Sequence, residues 1–341
     1  MTTSNPAATK VDADIPIGSD GTTYHVKCKS DDLADRIVLV GDPGRVEIIA
    51  SYLDENSIRS RSTHREICMV TGTYKGTPVT VLSTGMGTDN IEIVLNEIHL
   101  LKEYDVQRRQ WKCRVGDAGA PSDGPLFDPS RVKIIRFGTC GCPAPSVPPL
   151  ALAITRHCIG MDNTCLYYTP ESRGDSPDQQ EIRRVVREQT GLKAINVYTS
   201  RAHPNITNSI VAACEAHNRD AKSEEEKHQY VVGTTATASG FYACQGRPVG
   251  RFANCLTVPN MTEDFSKLKF SLSTGEEIVS NIEMKTSALC CLSGILGYQA
   301  GSVCMIVSKR TGEKSFFTED QMKKTLTKSI KVVLDALVSV P

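Results

Sequence analysis

The chain has 341 residues, 39 basic and 39 acidic side chains, zero formal net charge and 40% apolar content. That balance speaks against a nucleic-acid binder, which carries a basic excess, and no apolar run approaches the ~20 residues of a membrane span. Thirteen cysteines, an odd number set mostly inside apolar runs, read as reduced thiols of a cytoplasmic protein.

Residues 1–24 are polar and lack the apolar core of a signal peptide. The folded domain is expected to occupy 25–341. Apolar, β-rich runs predict strands at 36–40, 67–72, 78–83, 132–138, 194–199, 230–233 and 300–307. Between them, stripes of helical period run through Val46, Ile49, Ala50 and Leu53, then Ile91, Val94, Leu95 and Ile98. Further stripes pass through Ile182, Val185 and Val186, through Ala288, Leu289, Leu292 and Ile295, and through Met322, Leu326, Ile330, Val333 and Leu337. Such alternation predicts a single α/β domain around a central sheet flanked by helices. Residues 107–130, rich in Arg, Gly and Pro without periodicity, read as an insertion loop.

Arginine recurs beside three of the strands. Gly41-Asp42-Pro43-Gly44-Arg45 follows the run at 37–40, and Thr63-His64-Arg65-Glu66 precedes the one at 67–70. Arg136-Phe137-Gly138-Thr139 ends a third. Guanidinium forks, backbone N–H groups and a hydroxyl at one sheet edge are the chemistry an inorganic phosphate needs. Ser83-Thr84-Gly85-Met86-Gly87-Thr88 adds a glycine turn opening a helix, whose N-terminus favours an anion. The spacing fits neither a dinucleotide fingerprint nor a Walker motif, and Cys140-Gly141-Cys142 lacks the second pair of a zinc site. Singly each segment reads as an ordinary turn; their joint occurrence points to phosphate.

Together with Asn281-Ile282-Glu283-Met284, these motifs occur in the order of the nucleoside phosphorylase-I family, which the chain resembles over roughly residues 25–335. Phe241-Tyr242-Ala243-Cys244-Gln245-Gly246-Arg247 resembles the uracil-reading segment of the uridine-cleaving members. The resemblance implies the fold of that family, with a mixed sheet, and cofactor-free phosphorolysis of uridine, deoxyuridine or thymidine to the base and (deoxy)ribose 1-phosphate. It assigns phosphate, the co-substrate, to Gly41, Arg45, Arg136 and Thr139, with Arg65 donated by a neighbouring subunit. His25 would reach across a dimer to the ribose 5′-hydroxyl, and Glu283, Met284 and position 285 would meet the sugar. Phe241, Gln245 and Arg247 would hold the base, with Arg310 assisting from a nearby loop. Glu66, Asn90 and the Met86 carbonyl stand where the family can hold an interface cation; oxygen ligands suit K⁺ or Ca²⁺, and a plain polar cluster is the alternative. A homo-oligomer with shared sites follows, a dimer being favoured over a hexamer because of the insertion.

One position departs from the family. Where Glu-Met-Glu is usual, this chain has Glu283-Met284-Lys285. A carboxylate accepts bonds from sugar hydroxyls and favours an adjacent cation; an ammonium does neither. At about 5 Å and an effective dielectric of about 20, a unit charge is worth roughly 3 kcal/mol. Three arrangements fit: Lys285 turns toward phosphate or solvent, Glu283 takes over the hydroxyls, or the chain is an impaired member acting as a binding subunit. If the ammonium faces the sugar, Lys285→Glu raises turnover. A purine nucleoside phosphorylase is a further alternative, against which Gln245 and Arg247 speak.

Overall fold

The computed structural model describes residues 13–115, 126–168, 175–311 and 315–341. Part of the polar segment (1–12) and part of the insertion (116–125) therefore lie outside the described residues. The main sheet has twelve strands. They are β1 Arg36–Val40, β2 Ser60–His64, β3 Ile67–Tyr74 and β4 Thr77–Ser83, then β5 Lys133–Cys142, β6 Leu152–Gly160, β7 Tyr198–Arg201 and β8 Tyr230–Thr237. The last four are β9 Lys269–Leu272, β10 Gly275–Glu283, β11 Gln299–Lys309 and β12 Ser315–Phe316. Seven helices accompany them among the described residues: α1 Gly44–Ala50, α2 Thr88–Glu103, α3 Pro177–Gln189, α4 Pro204–Asp220, α5 Met261–Lys267, α6 Thr286–Leu296 and α7 Glu319–Ser339.

The strand order is β9-β10-β8-β6-β11-β5-β1-β4-β3-β2, with β7 beside β6 and β12 beside β11. Strand β1 runs parallel to β4 and β5, and β5 parallel to β11, whereas β6 is antiparallel to β11. The sheet is thus mixed. Ile282 of β10 also pairs with Gly141 of β5, so β10, β8, β6, β11 and β5 close a ring.

Both faces of the sheet are covered, which is why its strands read as continuous apolar runs rather than alternating ones. On β1, Val38 and Val40 join a core with Val46 of α1, Ile206 and Ile210 of α4, and Ile330 and Leu337 of α7. Ile37 and Leu39 face the other way, onto Ile91, Leu95 and Ile98 of α2 and Leu289 and Leu292 of α6.

Several elements were not visible in the sequence. Strand β6 carries Arg156 and His157 in mid-run, which breaks the apolar pattern. A register shift between Thr155 and His157 accommodates both, each at an oxygen of buried Glu277, 2.9 and 3.1 Å away. The strand expected at 194–199 begins only at Tyr198, because Leu192–Ala194 make a 3₁₀ turn. The insertion is not wholly loop: Tyr104–Asp105 pair with Gln110–Trp111, and Cys113–Arg114 with Leu126–Phe127. His99 stacks on Trp111 at 4.6 Å and Arg114 bonds Glu103 at 3.0 Å, fastening this segment to the end of α2.

Strand β7 lies against β6 with Gly160 opposite Tyr198. A Cβ at Gly160 would fall 2.2 Å from the Tyr198 ring. That ring cannot swing away, because its hydroxyl donates to Asp162 at 2.8 Å inside the core. Overpacking of this kind costs about 1–3 kcal/mol. Gly160→Ala is expected to lower the denaturant midpoint accordingly, with an unchanged slope.

Candidate active site

In sheets of parallel strands, ligands gather at the carboxyl ends, where helices begin and backbone groups are free. Here the ends of β1, β4, β5 and β10 meet around a cavity of roughly 650 Å³. Gly41, Arg45, Arg136, Thr139, Phe241, Gln245, Arg247, Glu283, Met284 and Lys285 line it, and so do Glu66, Met86 and Asn90. His25, Arg65 and Arg310 do not.

One end of the cavity is cationic. After β1 the chain turns at Asp42, whose carboxylate accepts from the Gly44 N–H at 2.9 Å, and α1 carries Arg45 inward. Its nearest anion is the exposed Asp42, at 3.9 Å, and burial lowers its pKa below the usual value. Arg136 points from the same sheet edge and is fully buried. It sits two residues before Gly138, on the same face of β5. A Cβ at Gly138 would come within 2.6 Å of its guanidinium, so glycine is what lets Arg136 lie along the strand.

The Arg136 guanidinium donates to Glu283 at 2.9 Å, to Ser302 at 3.2 Å and to the Cys304 thiol at 2.7 Å. Its Nε is buried without a partner among the described residues. Burial disfavours the Cys304 thiolate, yet the Cys140 hydrogen bond and Arg136 pull its pKa down to about 6. Burial likewise opposes ionisation of Glu283, but Arg136 and backbone donors hold its pKa below the carboxylate norm.

The Glu283 carboxylate is already engaged. Besides Arg136 it accepts from the Thr237 hydroxyl at 2.7 Å and from the Lys285 and Thr286 N–H groups at 2.9 and 2.8 Å, capping α6. Lys285 precedes that helix and turns its side chain back over Gly41. A Cβ at Gly41 would lie 3.2 Å from Lys285 Nζ. Burial, reinforced by Arg136, lowers the Lys285 pKa to about 8.

The other end is aromatic and polar. Arg247 lies over the Phe241 ring at 4.0 Å and near Phe316 at 5.5 Å. Its Nε is buried without a hydrogen bond among the described residues. Gln245 is buried; its amide nitrogen donates to the Gly240 carbonyl at 3.2 Å. Arg310 stands behind it, donating to the Gln245 side-chain and backbone oxygens at 3.2 and 3.1 Å. Arg310 therefore braces Gln245 instead of entering the cavity. A Cβ at Gly141 would meet its stem at 3.0 Å, which explains the glycine there.

His25 and Arg65 form a separate surface cluster. His25 Nδ1 lies 2.7 Å from Glu97, which also accepts the His25 and Val26 N–H groups at 2.8 and 2.7 Å. Arg65, at φ +55°, lies over the Tyr24 ring at 5.6 Å. Sequence reading missed Glu97, Thr237, Ser302 and Cys304. Only Glu97 left a trace, as an acidic residue within the apolar stripe of α2.

At the turn into α2, Gly85 and Gly87 have φ of +72° and +91°, conformations that favour glycine. The Asn90 amide and the Glu66 side chain crowd over Gly85: a Cβ there would meet them at 2.6 and 3.1 Å.

A family model described as the Phosphorylase superfamily matches residues 35–339. The chain is 26% identical over 328 residues to the uridine phosphorylase of Thermococcus kodakarensis, covering 95% of this chain and 91% of that one. Purine nucleoside phosphorylase (DeoD-type) of Lactococcus lactis is 40% identical, but over 101 residues, 30% of this chain and 41% of that one. Among solved structures, a Trypanosoma brucei nucleoside phosphorylase described as showing uridine phosphorylase activity superposes with a TM-score of 0.94. It has 68% sequence identity, over 95% of this chain and 99% of that one. The chain belongs to the phosphorylase superfamily.

Proposed function

We propose that the protein is a uridine phosphorylase. The observation that carries this reading is one cavity holding Arg45, Arg136 and Lys285 at one end and Phe241, Gln245 and Arg247 at the other. Orthophosphate at the cationic end attacks C1′ of the sugar as the N-glycosidic bond breaks. The products are ribose 1-phosphate and uracil, the bonding pair leaving with the base. The reaction builds positive charge on the sugar and negative charge on the pyrimidine. Phosphate stabilises the first and Arg247 the second, so fixed electrostatics supply much of the rate. The Gln245 amide keeps one N–H and one lone pair beyond its contacts to Gly240 and Arg310. Donor and acceptor on one amide suit the adjacent carbonyl and N–H of a uracil edge.

His25 and Arg65 lie together on the surface and outside their own cavity's lining, which supports their completing the cavity of a second copy in a homodimer. Glu66, Asn90 and Met86 all line the cavity, and their side-chain and carbonyl oxygens are donors of the kind a K⁺ or Ca²⁺ ion between two copies would take. Among the described residues all thirteen cysteines are free, and no helix is long and apolar enough to cross a membrane. The free thiols support a cytoplasmic location.

Because Glu283 is engaged and position 285 is a lysine that turns away, neither of these two positions offers a free carboxylate to the 2′-hydroxyl. Uridine and 2′-deoxyuridine are therefore expected to differ by less than about tenfold in kcat/KM, a modest discrimination for a hydroxyl that is not specifically read. The test is base release from uridine, 2′-deoxyuridine and inosine, each with and without phosphate. Phosphate-dependent uracil release supports the reading. Faster turnover of inosine would favour a purine enzyme, and binding without turnover a silent subunit.

A further inference from the structure

We infer that Lys285 is a phosphate ligand, a third cation from this chain beside Arg45 and Arg136, and not a sugar-facing residue. The inference rests on the phosphorolysis reading for the identity of the anion.

The geometry argues for it in three ways. First, the Lys285 ammonium lies over Gly41, at the start of the glycine-rich turn that follows β1, and hence on the Arg45 side of the cavity. Second, it makes no hydrogen bond to any described residue, although it is buried and lines the cavity. Its three donors therefore open on the cavity, where an anion can accept them. Third, the acceptor nearest in sequence is unavailable: the carboxylate of Glu283 is filled by Arg136, Thr237 and the first N–H groups of α6. Three cations thus converge where, among the described residues, the fully buried counter-charge is Glu283, apart from whatever negative charge Cys304 carries against Arg136. An incoming dianion meets both needs at once. It supplies acceptors to Lys285 and offsets the mutual repulsion of Lys285, Arg45 and Arg136, the repulsion that together with burial depresses the Lys285 pKa.

The consequence reverses the expectation for Lys285→Glu. A carboxylate at this position would face phosphate across Gly41 and repel it.

The test compares K285M, which keeps the length of the stem without the charge, with K285R, which keeps the charge. Thermal melting first establishes that each variant folds. K285M is expected to raise the KM for phosphate about 10- to 100-fold, the span of one hydrogen bond to a charged group. The KM for uridine should stay within about threefold. K285R should keep the phosphate KM within about tenfold of the parent. Calorimetric titration with inorganic phosphate alone gives a second readout that does not need turnover, and K285M should lose affinity by the same factor. An unchanged phosphate KM in K285M, a rise confined to uridine, or a gain of turnover in K285E would each overturn the inference. Should the parent protein bind phosphate in a Lys285-dependent way yet release no uracil, the inference stands and the proposed reaction falls.

Discussion

Arg136→Ala is expected to abolish efficient use of phosphate while leaving nucleoside binding nearly intact. On the proposed reading the guanidinium offers two charge-assisted bonds to phosphate, each worth about 1.5–3 kcal/mol, and their removal corresponds to a loss of about 10²- to 10⁴-fold in kcat/KM for phosphate. The same residue is also the partner of buried Glu283, at 2.9 Å. Breaking such a pair from one side typically costs about 3–5 kcal/mol. Here the Thr237 hydroxyl and the α6 N–H groups remain on the carboxylate and reduce that cost. Steady-state kinetics with phosphate and uridine varied separately, beside a denaturation curve, resolves the two effects. Equal damage to both Michaelis constants in a folded variant would contradict the assigned role.

The second large effect is expected from Arg247→Ala. Its guanidinium stacks on Phe241 at 4.0 Å and its buried Nε has no partner among the described residues, so on the proposed reading it is a donor for charge developing on a departing base. Removing one preorganised donor of this type costs about 10²- to 10³-fold in kcat. The stabilisation acts on leaving-group charge, so a uridine with an electron-withdrawing 5-substituent, whose base departs more easily, should lose less than uridine itself. An equal loss for both substrates would mean that Arg247 serves binding alone. Phe241→Leu, which keeps bulk but removes the ring face under the guanidinium, should show a smaller loss in the same direction.

Much of the fold was legible because its signals are local. The apolar runs of β1 and β4, the stripes of α2 and α7, and the arginines beside Gly41 and Gly138 depend on neighbours within a few residues. Strand β6 escaped because Arg156 and His157 interrupt it, and their accommodation depends on Glu277, some 120 positions away. Helix α4 was missed although Pro204 opens it and Ile206, Ile210 and Cys214 carry a helical stripe.

Residue chemistry and order along the chain were enough to determine family and mixed α/β architecture, and to single out many of the side chains that line the cavity. What each group does there was decided by the tertiary structure. The Glu283 carboxylate is spent on Arg136 and the start of α6, Lys285 turns toward Gly41, and Arg310 supports Gln245 from behind. These outcomes depend on which side chains from distant strands reach an acceptor first. A charge in a low-dielectric interior takes the nearest partner, and nearness between residues 136 and 283, or 41 and 285, exists only once the strands are paired.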